Sequence, residues 1–223
     1  MKITKQHFTF LKSLAKNNNR EWFMENKKTF DDLNNEMKAF CGQIMEGLCK
    51  TDNIEKFNVF RIYRDVRFSK NKMPYKNHLS GYFRRATAHL RGGYYLHIES
   101  GNTFVGGGFY SPSKEDLLRI RQEIEQDDKE MRAILKNPKF KKNFGALLGE
   151  ELKTAPRDFD KEHKAIDLIR KKQFYVARSF TDKEVLSKDF DKEVVKTFEA
   201  LRPFFNFMSE TLTTDLNGIS VLD

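Results

Sequence analysis

The spacing of apolar residues changes along the chain, and these changes separate helical segments from strands. Over residues 1–50 apolar side chains recur every three or four positions, which is typical of one buried face of a helix. Between Phe57 and Tyr110 the period falls to two, and β-branched and aromatic residues dominate, as in strands. The helical period returns over 113–137 and 189–214. The sequence therefore predicts an α+β fold with a central, mostly antiparallel sheet of about five strands, flanked by N-terminal, middle and C-terminal helices.

Short connections between the strands favour an antiparallel meander. The first four predicted strands are joined by segments that contain Gly or Pro, whereas parallel strands need a linking segment of about a dozen residues or more. Neither an internal repeat nor a Ser/Gly/Pro-rich linker divides the chain, so we expect a single domain over residues 1–223 with its sheet core at 57–110. The predicted strands cover residues 57–68, 79–85, 93–99, 103–110 and 173–181.

Residues that favour or interrupt helices set the expected helix ends. We expect one long helix from Arg20 to Lys50, and another over 113–137 that begins at a capping box formed by Ser113. Pro203 is expected to kink the helix over 189–214, because proline removes one backbone hydrogen bond and its ring crowds the preceding turn.

Membrane and disulfide-stabilised classes do not fit this sequence. No window approaches 18 uninterrupted apolar residues, and the first residues lack the apolar stretch of a signal peptide. We therefore expect a cytoplasmic protein with no membrane partner. Cys41 and Cys49 lie on one predicted helix, with Cα atoms about 12 Å apart, which is beyond the reach of a disulfide. Both are expected to be reduced core thiols.

The common metal and cofactor motifs are not found in the sequence. The five histidines and two cysteines lack the paired spacing of zinc sites. Gly106, Gly107 and Gly108 precede a helix but lack the Gly-Lys-Ser/Thr of a phosphate-binding loop, so they indicate a bulge or close backbone packing. We therefore expect neither a metal site nor a cofactor.

Positive charge is concentrated in one part of the chain. The net charge is +9, from 41 Lys and Arg against 32 Asp and Glu. Residues 57–98 carry nine of the basic side chains and a single acid, Asp65, so the other residues are almost neutral together. Because this segment contains most of the predicted strands, the sheet is expected to be basic.

Two arginines occupy positions where apolar side chains are expected. If residues 60–68 form a strand, Arg64 shares a face with the apolar row, and Arg178 does the same in the last strand. A guanidinium facing a core needs an acid, carbonyl groups or a bound anion, because burying it unpaired is prohibitive. Both arginines therefore become candidates for ligand binding.

The opposite face of the same predicted strand carries Arg61, Tyr63, Asp65 and Arg67. Asp65 alternates with the two arginines and is expected to hold both guanidiniums in place, with its carboxylate stabilised in the charged form. The polar segment that follows is expected to fold back over this face. The candidate ligand-binding residues are Arg61, Arg64, Asp65, Arg67, Lys72 and Tyr75, with Tyr63, His78, His97 and Arg178 as secondary candidates and no assigned catalytic residue.

The pattern Arg61-x-x-Arg64-Asp65-x-Arg67-Phe68-x-x-Asn71-Lys72-x-x-Tyr75 resembles the signature of a family called domain of unknown function 2461. The similarity extends to the stretch around Trp22, to the strand end that begins at the three consecutive glycines, and to the start of the helix at Leu117. The resemblance implies a bacterial protein of about this length that shares the family's fold and site. It implies no activity, because the family has none established.

Three functions remain open at this point. The surplus of arginines favours a pocket for a small phosphorylated or carboxylated ligand, with or without associated catalysis, since planar guanidinium recognises such groups in a bidentate manner. The basic sheet could instead bind nucleic acid. A purely structural Arg–Asp network is the third reading. The oligomeric state is not indicated. The candidate stacking residues for nucleic acid are Tyr63, Tyr82, Tyr94 and Tyr95.

Overall fold

A computed structural model describes residues 1–222. Within this range the chain forms ten helices and one five-stranded sheet, and none of these helices is long and apolar enough to cross a membrane. The helices are α1 (Lys5–Lys16), α2 (Arg20–Glu25), α3 (Lys27–Leu48), α4 (Lys114–Gln126), α5 (Lys129–Lys136), α6 (Pro138–Phe144), α7 (Ile166–Ile169), α8 (Asp182–Val185), α9 (Phe190–Glu199) and α10 (Arg202–Thr213).

The sheet is antiparallel, and its strands are ordered as they occur in the sequence. This arrangement is the predicted meander, and together with the flanking helices it confirms the α+β fold class. Four of the five strands match the predicted segments to within about two residues at each end, which is the usual uncertainty of strand boundaries. The strands are β1 (Ile54–Val59), β2 (Leu79–Arg85), β3 (Gly93–Ile98), β4 (Thr103–Phe109) and β5 (Phe174–Phe180).

The first strand differs from the prediction, because β1 ends at Val59. Phe60 makes one more backbone hydrogen bond to Ser80 of β2, and residues 61–68 then leave the sheet. Their backbone bonds instead to residues 74–76. The Arg64 N–H donates to the Pro74 carbonyl and the Lys76 N–H donates to the Ile62 carbonyl, each at 2.8 Å. The period of two in this segment therefore belongs to a local hairpin. Phe68, which would share the apolar face with Arg64 if residues 60–68 formed a strand, is 96% exposed.

Each of the three long predicted helices is divided in two. The segment from Arg20 breaks at Asn26, where the backbone leaves helical geometry. Helix 113–137 breaks at Asp127, which is extended, although the Ser113 hydroxyl caps its start by accepting from the Asp116 N–H at 3.0 Å. Pro203 lies in the first turn of α10, where an N–H would have no partner, so the chain starts a new helix there rather than kinking one.

The chain forms two compact units, each assembled from three segments. Unit 1 contains Met1–Arg84, Tyr95–Val105 and Ser179–Lys196. Unit 2 contains Arg85–Tyr94, Gly106–Arg178 and Thr197–Asp223. Neither unit is continuous in sequence. The expectation that residues 1–223 behave as one domain stays a prediction.

In unit 1 helix α3 packs on β1, and aromatic rings fill the core. Phe40 stacks on Phe190 with ring centroids 5.8 Å apart. Cys41 is buried beside them on α3, and burial raises the pKa of its thiol to about 12. Cys49, the residue after the end of α3, is exposed. The expectation of two core thiols is therefore wrong for Cys49.

In unit 2 helix α10 packs on α4 and α5, and the ring of Tyr94 packs against one phenylalanine of α9 and one of α10. Tyr94 is fully buried, with Phe198 and Phe205 at centroid distances of 4.9 and 5.0 Å, so its ring is not available to stack on a nucleic-acid base. A Cβ atom at Gly106 would lie 2.2 Å from the Val176 carbonyl oxygen. This contact confirms the close backbone packing that the three glycines indicated.

Candidate functional site

Residues 60–78 connect β1 to β2 and form the 60–78 hairpin. Its two arms pair through an antiparallel bridge between Tyr63 and Tyr75, flanked by the two backbone hydrogen bonds described above. At the tip, the Lys72 ammonium donates to the Val66 carbonyl at 3.0 Å and closes the loop. The segment that carries the family-like pattern, Arg61 to Tyr75, therefore folds back on itself as one hairpin.

Asn18, in the turn between α1 and α2, holds one arm of this hairpin in place. Its side-chain amide donates to the Tyr75 carbonyl and accepts from the Tyr75 N–H, both at 3.0 Å. The Tyr75 ring stacks on Phe23 with centroids 4.1 Å apart. Burial raises the pKa of the Tyr75 hydroxyl, so this side chain stays neutral at physiological pH. These contacts hold both the backbone and the ring of Tyr75 in place.

A cleft of about 380 Å³ lies against this arm and is lined by residues of unit 1. Tyr75 forms part of its wall. An arginine, a lysine, a histidine and three amides supply most of its polar groups, which suits a polar or charged small molecule better than an apolar one. These polar residues are Arg64, Lys76, His78, Asn18, Asn71 and Asn77.

The cleft contains only part of the predicted ligand-binding set. Arg64 and Tyr75 line it, whereas Arg61, Asp65, Arg67 and Lys72 do not. The predicted common face depended on a strand at 60–68, and the hairpin turns these side chains in other directions.

Asp65 holds one of its two expected partners. Its carboxylate accepts from the Arg67 guanidinium in a bidentate manner, at 2.7 and 3.0 Å. Hydrogen bonds from Arg67, and more weakly the charge of Arg61, hold the pKa of Asp65 below its usual range. Both members of the pair are exposed, with 77% of the Arg67 side chain accessible, so the pair shapes the surface loop.

The secondary candidates have separate surroundings. Tyr63 is half exposed and packs its ring against Phe23 and Tyr75. Arg178 lies in unit 2, where its guanidinium donates to the Asn143 amide oxygen at 2.9 Å and to the Thr197 hydroxyl at 2.7 Å. Neutral oxygens therefore provide partners for the arginine on the core-facing row.

His78 and His97 come together in unit 1 with a carboxylate, Glu99. The two imidazole rings lie 4.1 Å apart between centroids. His97 is 7% exposed and stacks on Phe104, while its Nε2 lies 3.0 Å from a Glu99 oxygen and its Nδ1 lies 3.3 Å from the Tyr95 hydroxyl. Both ring nitrogens of His97 therefore have polar partners.

Amide side chains complete the surroundings of Glu99. Asn102 donates to its carboxylate at 2.8 Å, and Asn77 donates to the other oxygen. Burial alone would raise the pKa of Glu99, but the hydrogen bonds from His97 and Asn102 outweigh it and lower the pKa. This carboxylate is therefore ionised at neutral pH.

Burial lowers the pKa of His78 to about 4, and the positive charges of Lys76 and Arg64 act in the same direction. Burial and the nearby Arg61 also lower the pKa of Lys76. Arg64 and Lys76 supply the basic groups of the cleft, beside the imidazole of His78, which is neutral at pH 7 and can donate or accept one hydrogen bond.

The basic surplus of residues 57–98 is smaller on the sheet than the sequence suggested. Arg84 pairs with Glu55 at 3.2 Å and Arg91 pairs with Asp116 at 2.6 Å. Arg85 is buried in unit 2. Together with the Arg67–Asp65 pair, these contacts leave five basic residues with no ion-pair partner in the part of the chain that the structure describes, and all five lie in the 60–78 hairpin. They are Arg61, Arg64, Lys70, Lys72 and Lys76.

The sequence predicts no role at this cleft for Asn18, Asn71, Asn77 and Lys76. Asn71 belongs to the resemblance pattern and Lys76 follows its last residue, so the pattern itself could have pointed to them. Asn18 is 57 positions away from Tyr75 and carries no local indication of this contact.

Comparison with known proteins places the chain in a family. No curated protein and no solved structure matches it. One family model, described as a conserved hypothetical protein, matches residues 6–207 of the 223. Because this match spans nearly the whole chain, including both arms of the hairpin and the cleft, the protein belongs to the DUF2461 family.

Proposed function

We propose that the cleft beside the 60–78 hairpin binds a small phosphorylated or carboxylated ligand. The observation that carries this proposal is that Arg64 and Lys76 both line the cleft while neither has an ion-pair partner among residues 1–222. Two unpaired cations at one concave surface create a positive potential that a compact anion would neutralise. A bound anion also supplies the hydrogen-bond acceptors that these donors lack.

The side chains of the cleft suit different parts of such a ligand. The planar guanidinium of Arg64 can donate two parallel hydrogen bonds to phosphate or carboxylate oxygens. The Lys76 ammonium adds a point charge, and the amides of Asn71 and Asn77 can donate to further oxygens. Outside the cleft, Arg61 contributes to the positive potential.

The test compares two arginines of one hairpin. We expect inorganic pyrophosphate to raise the melting temperature of the wild-type protein, as measured by differential scanning fluorimetry, with citrate as the carboxylate probe. Arg64→Ala removes a charged hydrogen-bond donor of the cleft, so its affinity for the anion should fall by about 10-fold to 100-fold. Arg67→Ala makes the same change outside the cleft and should keep the wild-type shift.

Two outcomes would contradict the proposal. One is an equal anion-induced shift in Arg64→Ala and in the wild-type protein. The other is the same loss in both variants, which would indicate a general charge effect of the hairpin. Circular dichroism of each variant without ligand establishes that the fold is retained.

Nucleic-acid binding is the second candidate, and the exposed tip of the hairpin supports it. Phe68 projects into solvent, and the Arg67 guanidinium lies 5.9 Å from its ring centroid. Exposed aromatic rings beside cations can stack on single-stranded bases. Affinity for a single-stranded RNA oligonucleotide should then fall with salt, with a log–log slope of about −0.7 per phosphate contacted, and Phe68→Ala should weaken it. Binding that does not depend on salt would remove this candidate.

The third reading, a purely structural Arg–Asp network, has less support. The Arg67–Asp65 pair is exposed, and exposed ion pairs contribute little to stability because water screens them.

A further inference from the structure

We propose that His78, His97 and Glu99 bind a divalent transition-metal ion. Each of the three offers one donor atom, and these atoms all lie within 4.8 Å of one another. The cluster lies at one end of the anion cleft, because His78 also lines that cleft. This metal site does not depend on the proposed anion binding.

The sheet brings the three donors together although they are distant in sequence. His78 immediately precedes β2, His97 lies in β3, and Glu99 follows the last residue of β3. The two strands are neighbours in the sheet. Because successive strand side chains face opposite sides, His97 and Glu99 lie on one face, and His78 reaches that face from the adjacent strand.

The surroundings of the donors resemble a prepared ligand shell. Metal-bound histidines almost always bond through their second ring nitrogen to a fixed polar group, which sets the orientation of the ring. In His97 the Tyr95 hydroxyl occupies Nδ1 at 3.3 Å, so Nε2 is the nitrogen that faces Glu99. Asn102 holds the Glu99 carboxylate at 2.8 Å, and Asn77 holds its second oxygen.

The donor set indicates the class of ion. Two imidazoles and one carboxylate suit zinc and the neighbouring first-row divalent ions, whereas magnesium and calcium prefer oxygen ligands alone. Zinc bonds of about 2.0–2.1 Å require two donors on one ion to lie within about 4.2 Å of each other. His78 is half-buried at the edge of the cleft and would rotate slightly towards the other two donors on binding.

Three protein ligands leave a coordination position open, as in catalytic zinc sites. His78 belongs to the cluster, Asn77 donates to Glu99, and both residues line the cleft. An anion bound in the cleft could therefore occupy the open coordination position of the metal ion. The cations Lys76 and Arg64 repel a bare metal ion, so Lys76→Met should bind the metal more tightly than the wild-type protein does.

The experiment titrates the full-length protein, freed of metal by dialysis against a chelator, with Zn²⁺ in an isothermal calorimeter without added anion. We expect one ion per chain. His78→Ala removes a ligand and Glu99→Gln removes the charge of another, so each should weaken binding by about 100-fold. His89→Ala, a change at an exposed histidine outside the cluster, should bind as the wild-type protein does, and Mg²⁺ should not compete.

Wild-type affinity in His78→Ala, or no stoichiometric Zn²⁺ binding, would overturn the metal site and leave the anion proposal untouched. Circular dichroism checks the fold of each variant. A second measurement needs no variant: at one equivalent of Zn²⁺ the nitrogen resonances of His78 and His97 should shift, while those of His89 and His163 should not. Shifts confined to His89 or His163 would equally overturn the proposal.

Discussion

Arg84 and Arg85 are consecutive residues of β2 with opposite surroundings. Arg84 is exposed and forms an ion pair with Glu55. Arg85 is 1% exposed, donates to the Arg91 carbonyl at 3.1 Å and to the Ser209 hydroxyl at 3.2 Å, and lies 5.3 Å from the ring centroid of Phe205. Because successive side chains of a strand point to opposite faces, one of these two adjacent arginines lies in the core and the other on the surface.

We expect Arg85→Ala to lower the free energy of unfolding by about 3 kcal/mol, because it leaves a cavity and buried acceptors without their donor. Arg84→Ala should change the free energy of unfolding by no more than about 0.5 kcal/mol, since its partner stays solvated. Urea denaturation of both variants measures the difference. Equal destabilisation would contradict the structural role assigned to Arg85.

Arg64 and Arg67 differ in a similar way within the hairpin. Both belong to the pattern that resembles the family signature, and the sequence predicts ligand binding for both. Only Arg64 lines the cleft, whereas Arg67 is occupied by Asp65. The number of arginines in a pattern therefore overstates how many of them can meet one ligand.

At the scale of elements, strands β4 and β5 approach so closely that their pairing requires glycine. A Cβ at Gly106 would lie 2.2 Å from the Val176 carbonyl oxygen, which belongs to the neighbouring strand and cannot move without breaking the sheet. Gly42, within α3, has no atom within 4 Å of the corresponding position apart from its chain neighbours and the backbone of its own helix. The same substitution should therefore have opposite effects at the two glycines.

Gly106→Ala should lower the free energy of unfolding by about 1–3 kcal/mol through overpacking. Gly42→Ala should raise it by about 0.5–1 kcal/mol, because alanine restricts the unfolded chain and favours the helix. Thermal or urea unfolding of both variants checks the two signs. A stabilised Gly106→Ala protein would show that β4 and β5 are spaced more widely than described.

The 60–78 hairpin illustrates how an element can be mistaken from its pattern. Alternating residues predict a strand, and Tyr63 does pair like a strand residue, through its antiparallel bridge to Tyr75. The pattern cannot identify the pairing partner, which here is the segment 74–76 of the same loop rather than β2. Helix breaks at Asn26 and Asp127 were missed for a related reason, since the apolar period continues across them.

At the scale of the whole molecule, the chain passes from one compact unit to the other five times. Each unit is therefore joined to the other by several covalent crossings, most of them within strands. Neither unit could be removed as a continuous piece of chain. A single cooperative domain stays our prediction.

We expect urea to unfold the protein in one two-state transition. Trp22 is the single tryptophan and belongs to unit 1, so its fluorescence follows that unit, while far-ultraviolet circular dichroism follows the helices of both. Coincident curves with the same midpoint and slope are the expected result. A shift between the two curves would mean that the units unfold separately.

Local chemistry in the sequence was enough to establish the fold class, the strand order and the region that carries the surplus of positive charge. Periodicity and turn residues act over a few positions. Because neighbouring strands of this sheet are also consecutive in the sequence, such short-range patterns were sufficient to predict the strand order. The close packing at Gly106 and the Asp65–Arg67 pair could also be predicted, because both depend on residues that are close in sequence or on the residue type itself.

Contacts between segments that are distant in sequence could not be predicted from those short-range patterns. The Asn18 amide meets Tyr75 across 57 positions, and His78 meets His97 and Glu99 only because two strands lie side by side. Which arginine faces a cleft depends on how the loop backbone turns, since each side chain points where local packing and hydrogen bonding direct it. The tertiary structure therefore decided the membership of the candidate site, because a site is a meeting of side chains in space.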